Sequence, residues 1–160
     1  GKVKVVRTMP NTPVAIGKGI TALTKGRFAT DRDLRVAERI FKALGETIII
    51  DKEGLIDVVT ALSGSGPAYV FFIINAMLAA ARGLGLDRKN ANKLIYYTVA
   101  GAMELHKQKG FDAKRLISQV TSRGGTTEAA LKVFNDKKLG KIIIDAIVAA
   151  HRRAKELCLR

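Results

Sequence analysis

Pro67–Arg82 reads PAYVFFIINAMLAAAR, and its reading decides the fold. Sixteen residues carry one interior polar group, Asn75, and reach a charge only at Arg82. Alanine, leucine, methionine and phenylalanine at such density, without turn residues, predict a helix that is apolar on nearly every face. Such a helix needs burial on all sides. A chain of 160 residues offers few elements to surround it, so it is either the central helix or it packs against a second copy of itself. The run Ala68–Ala81 is short for a bilayer span and reads as a core helix of a soluble protein.

Working outward, Pro67 stands where a first helical residue belongs, and Ser63-Gly64-Ser65-Gly66 before it reads as a break after a short amphipathic helix, Leu55–Leu62. Downstream, Gly83 and Gly85 end the apolar helix. Asp87 starts a longer one through Leu94, Tyr97, Val99, Met103 and Leu105 to about Gly110. Asp112 caps the next, through Leu116, Ile117 and Val120. Ser122-Arg123-Gly124-Gly125-Thr126-Thr127 follows, with Thr126 or Thr127 as a possible N-cap for a helix from Glu128 to Asn135. A last helix covers Leu139–Leu157.

Before Asp51 the character differs. Val3, Val5 and Val6 make a β-branched strand that stops at Met9-Pro10, with further strands at Ile20–Thr24 and Ile48–Ile50. One helix lies between them: Thr30 with Asp33 three residues on has capping-box spacing, Leu34, Ala37, Ile40, Phe41 and Leu44 recur at helical spacing, and Gly45 supplies the stop. The expected organisation is therefore a short strand-and-helix segment, 1–51, and a helical domain, 52–160.

Bulk chemistry narrows the function. The single cysteine, Cys158, excludes an internal disulfide framework and a cysteine-based metal cluster, and fits a reducing cytoplasm. No positively charged segment followed by an apolar core opens the chain, so no signal peptide is expected. A net charge of +14 raises nucleic-acid binding, but the cations are dispersed, no aromatics interleave with them and tryptophan is absent, so a solvated basic surface is favoured. His106 and His151 stand in polar helix ends and read as solvent-facing. Asp57, Glu104 and Asp145 read as surface or ion-pair residues. No set of residues for metal binding, hydrolysis or nucleophilic catalysis is legible.

Three glycine patterns remain. Gly17-Lys18-Gly19 with Ala22 has dinucleotide-fingerprint spacing, but strand-forming residues leave it where a helix is required, so a turn between strands is the better reading. Gly124-Gly125-Thr126-Thr127 before a helix offers backbone N–H groups, hydroxyls and a helix dipole to a carboxylate or phosphate; an ordinary turn is equally consistent with those residues. Ser63-Gly64-Ser65-Gly66 combines hydroxyls with a helix start, or permits a close helix crossing.

Three ordered segments carry a resemblance: Val6-Arg7-Thr8-Met9-Pro10-Asn11-Thr12-Pro13, Ala61-Leu62-Ser63-Gly64-Ser65-Gly66-Pro67-Ala68-Tyr69, and Val120-Thr121-Ser122-Arg123-Gly124-Gly125-Thr126-Thr127. Together they resemble pyrroline-5-carboxylate reductases over essentially the whole chain, with Arg123 where that family usually has proline. The resemblance implies a mainly α fold: a helical dimerisation domain, like the C-terminal domain of 6-phosphogluconate dehydrogenase, preceded by a short α/β remainder of a Rossmann-type domain whose glycine-rich cofactor loop lies upstream. It implies hydride transfer from NADPH or NADH to the C=N bond of 1-pyrroline-5-carboxylate, giving L-proline. By the same resemblance, Gly124, Gly125, Thr126 and Thr127 take the substrate carboxylate, Ser65 makes a polar contact to substrate, and Met9, Pro10 and Asn11 face the nicotinamide. A homodimer, or a larger ring, is implied, and the isolated chain is expected not to turn over. The alternatives are a stand-alone pairing module without catalysis and a basic helical domain that binds nucleic acid.

Overall fold

The computed structural model describes residues 3–158. The chain divides into two compact units: one comprises the residues up to Val70 together with those from Ile144 onward, the other Phe71–Ile143.

The first unit is built on a three-stranded sheet in the order β1-β2-β3: β1 (Val6–Pro10) runs antiparallel to β2 (Gly19–Lys25), which pairs in parallel with β3 (Gly45–Ile49). The parallel pair is joined through α1 (Asp31–Lys42), as a crossover requires. β2 is central, and Thr21, Ala22, Leu23 and Thr24 are all buried in it. The first strand begins later than its valines suggested and takes in Met9 and Pro10; Val3 and Val5 lie outside it and are exposed. The partner fixes this, since the register runs from Val6 opposite Lys25 to Pro10 opposite Thr21. Proline is tolerated there because β1 is an edge strand. Between β1 and β2 the chain makes a 3-10 turn, Thr12–Ile16, followed by the Gly17-Lys18 turn, so the glycine pattern does join two strands.

α1 has the expected capping box: the Thr30 hydroxyl accepts from the Asp33 N–H at 3.3 Å, and the Asp33 carboxylate accepts from the Thr30 N–H at 2.8 Å. Thr30's side chain and backbone, then Lys4, hold the Asp33 carboxyl down to about 2. Leu34 is the buried residue of this helix. Gly45 does not stop it; α1 ends at Lys42 with Ala43 as C-cap, and Gly45 opens β3.

The chain does not leave helical conformation at Ser63–Gly66. A 3-10 turn, Glu53–Leu55, leads into α2 (Ile56–Val59), a π-helical turn covers Thr60–Gly64, and α3 (Gly66–Gly83) follows. Pro67 explains the widened turn. It has no N–H to donate and its ring would crowd the preceding turn, and a π-turn is one way a helix absorbs that. The Ser65 N–H reaches back to the Thr60 carbonyl at 2.9 Å, and the Tyr69 hydroxyl donates to the Ala61 carbonyl at 3.0 Å. The whole run, Glu53–Gly83, is 31 residues and has the length and composition of a membrane span, a test that the core helix of a soluble protein also passes.

The first unit also contains the end of α7 (Leu139–Cys158), whose Ala154 is buried. Arg7 of β1 donates to Cys158 Sγ at 3.0 Å and to Glu53 Oε1 at 3.4 Å, and pairs with Asp57 at 3.7 Å. Those partners, Cys158 first, raise the Arg7 guanidinium above its ordinary value.

The second unit is helical throughout: the rest of α3, then α4 (Arg88–Gln108), α5 (Ala113–Gln119), α6 (Thr126–Asp136) and the start of α7. Asp87 and Asp112 cap α4 and α5 as expected, accepting from the Asn90 and Arg115 N–H groups. Its core is slight. Ala91 and Ile95 are its buried apolar residues, and α3, expected to be covered on all sides, has no buried residue at all.

Candidate functional site

The loop before α6 is shaped by its two glycines. Gly124 has φ +72, a left-handed conformation that side chains resist. A Cβ at Gly125 would collide with the Ser122 hydroxyl. The loop is closed by the Gly125 N–H donating to the Ser122 carbonyl at 3.0 Å, and Thr121 ties its hydroxyl to the Ile117 carbonyl at 2.7 Å.

Neither threonine caps the helix. Gly125 is the N-cap, through extended backbone (ψ 169) without a side-chain bond, so α6 starts at Thr126, two residues before the expected Glu128. Thr126 and Thr127 occupy its first two positions, where N–H groups have no acceptor within the helix. Their N–H donors and hydroxyls, with the positive end of the helix dipole, can receive a carboxylate. Glu128 adds a feature the sequence reading missed: its Oε2 accepts from the Gly124 N–H at 2.7 Å. The glutamate stands three residues after the N-cap, the capping-box interval, with glycine in place of serine or threonine. Gly124, Gly125, Glu128 and Lys132 line part of a surface groove of about 660 Å³. Arg123 is exposed beside the loop.

Ser65, Met9, Pro10 and Asn11 belong to the first unit, Gly124–Thr127 to the second. Within the first, the structure brings Met9 onto the serine–glycine turn: a Cβ at Gly64 would lie 2.5 Å from the Met9 methyl, so any larger residue there would displace the Met9 side chain. Asn11 joins the end of β1 to the start of β2; its Oδ1 accepts from the Ile20 N–H at 3.0 Å and its own N–H donates to the Ile20 carbonyl at 3.3 Å. Pro10 is exposed and Ser65 half-buried. The Ser63 hydroxyl oxygen is buried without a hydrogen-bond partner, and Tyr69, quoted in the sequence motif without a role, holds the turn through Ala61. His106 and His151 are half-buried rather than solvent-facing; the His106 ring meets Phe111 edge-on at 5.3 Å. Among the described residues no group of three or more His, Cys, Asp or Glu is gathered for a metal.

Residues 53–157 match the model of the pyrroline-5-carboxylate reductase dimerisation family. The chain belongs to this family. Pyrroline-5-carboxylate reductase 2 of Bacillus subtilis is 38% identical over 98% of the chain and 56% of its own length. The reductase of Synechocystis is 40% identical over 96% of the chain and 57% of its own length. Among solved structures, a pyrroline-5-carboxylate reductase from Coxiella burnetii shares 41% identity with a TM-score of 0.89, covering 96% of the chain and 57% of that protein. The Plasmodium falciparum pyrroline carboxylate reductase with NADP bound shares 29% identity with a TM-score of 0.92, covering 98% and 59%. The family's helical character agrees with the fold, and the chain spans a little over half the length of the relatives it matches.

Proposed function

We propose that these 160 residues form the substrate-holding and subunit-pairing part of an NAD(P)H-dependent pyrroline-5-carboxylate reductase of the cytoplasm. The observation that carries this is the Gly124-Gly125 loop opening α6 with uncommitted donors at Thr126 and Thr127, in a chain of this family. A cyclic imine carboxylate needs an anion cradle and firm positioning of its C=N carbon, and little else from the protein. In this reading Thr126 and Thr127 hold the carboxylate, Glu128 keeps Gly124 in its left-handed shape, and Ser65 contacts the substrate.

Residues 1–51 are the end of the nucleotide-binding domain and 52–160 the pairing and substrate domain. Support comes from the parallel β2-α1-β3 unit and from the start of the family match at residue 53. The main cofactor site falls in the part of the relatives' length that this chain does not cover. The residues present nonetheless fit a nicotinamide end. Met9 offers an apolar thioether, the Asn11 NH₂ has no acceptor among the described residues, and the Ser63 hydroxyl is buried and unpartnered beside Gly64. A bound reduced nicotinamide supplies the hydride; the chain's own residues orient substrate and shield the reacting carbon. Pairing into a homodimer follows the family's name and the uncovered α3, and a ring of dimers is the further step that the resemblance implies.

The test is oxidation of NADPH or NADH with pyrroline-5-carboxylate, using the full-length gene product. Thr126→Pro removes one N–H donor at a position where proline suits a helix, after a residue already extended. It should raise KM about tenfold, the value of one hydrogen bond to a charged group, without lowering Tm, while Thr126→Val separates the hydroxyl's share. The 160-residue chain alone should not turn over. An unchanged KM in Thr126→Pro would remove the carboxylate from this loop.

A further inference from the structure

The outer face of α1 has a charge pattern that the reductase reading leaves unused. Arg32, Arg35 and Arg39 recur at i, i+3 and i+7, which sets them in one row along two helical turns. The acids of the same helix are engaged elsewhere. Asp31 pairs with Lys25, Asp33 with Thr30 and Lys4, and Glu38 with Lys42 and the Thr47 hydroxyl. The three arginines are exposed and have no ion-pair or hydrogen-bond partner among the described residues. Arg35 and Arg39 are a like-charge pair one turn apart, and Arg32 stands in the first turn, at the positive end of the dipole; both placements disfavour the helix. Asp31 relieves Arg35 in part and Arg39 is favoured in the last turn, but Arg32 has neither relief, and an anion laid along the row would supply it.

Two further features choose the anion. Val36 (43% exposed) and Ile40 (62% exposed) flank the row on one side, and Arg32, Arg35, Glu38 and Arg39 line a shallow groove of about 370 Å³. Phosphodiesters would pair with the arginines but have no use for the aliphatic flank, and α1 carries no exposed aromatic on which bases could stack. An acidic amphipathic helix uses both, with carboxylates along one stripe and aliphatic side chains beside it. We propose that this face of α1 is a docking surface for an acidic amphipathic peptide segment of a partner protein.

Fluorescence anisotropy with the full chain tests it, using a labelled helical peptide of Glu, Ala and Leu and, in parallel, labelled oligothymidylate. The triple variant Arg32→Gln, Arg35→Gln, Arg39→Gln should weaken peptide binding about tenfold, the sum of three exposed ion pairs, with Tm equal or higher. Val36→Ser with Ile40→Ser should weaken the peptide and leave oligothymidylate unchanged. The control Lys107→Gln, Lys109→Gln, Lys114→Gln removes equal charge elsewhere and should change affinity less than about twofold. Equal losses in both triples would reduce the effect to net charge and overturn the proposal. Oligothymidylate binding more tightly than peptide, lost in the arginine triple and indifferent to Val36 and Ile40, would replace it with a nucleic-acid surface.

Discussion

The two compact units differ in how they are held together. In the first, a central strand is sealed between its neighbours and α1: Leu23 is 0% exposed, and Ile56, Ala61 and Ala154 are nearly so. In the second, five helical segments share two buried apolar residues, while Phe72 of α3 is 77% exposed and Tyr96, Tyr97 and Met103 of α4 are all open. Both are rich in apolar residues, so composition does not separate them. The first unit leaves apolar side chains such as Ile16 and Leu62 exposed as well, but it also closes a core of its own around Leu23 and Ile56. The second exposes large apolar side chains along α3 and α4 with little core beneath them, which suits an element completed by another copy in a dimerisation family.

The largest expected effect lies at that surface. Phe72→Glu should abolish pairing, read as a fall in sedimentation mass to that of one chain; retention of the pair would place the contact elsewhere. Next in size is the contrast between cores. Leu23→Ala should destabilise the first unit by about 3 kcal/mol in denaturant unfolding. Leu84→Ala, at 87% exposure, should cost under about 0.5 kcal/mol unless the partner covers it, and a larger loss would show that it does. A smaller effect than that at Leu23 belongs to α1. Thr30→Ala should cost about 1 kcal/mol through the lost cap. Because Asp33 is held near 2, below its ordinary 3.8, its contribution is present above about pH 4 and is lost as pH falls toward 2. Thermal melts across that window should show the decline, and Asp33→Asn should flatten it.

The same contrast governs what could be read before the structure. α1 was legible because its signals are local: Thr30 and Asp33 at capping-box spacing and apolar residues on one side. The π-turn was not, since Ser63-Gly64-Ser65-Gly66 resembles a break, and the widened turn follows from the missing donor of Pro67 and the Tyr69 hydroxyl eight residues from its acceptor. The substrate loop was half legible. Its glycines and threonines marked it, but side-chain caps were expected where Gly125 caps through backbone alone, and the Glu128 bond to Gly124 had only its interval to announce it. The apolarity of Pro67–Arg82 called for burial without saying by what, because a sequence does not separate burial within a chain from burial between copies.

The most direct test of pairing is the sedimentation mass of the 160-residue chain. Two copies sharing the second unit's apolar faces should give twice 17.3 kDa, with one concentration-dependent unfolding transition for the helices of that unit. A stable, cooperatively folded species of 17.3 kDa at all concentrations would contradict it.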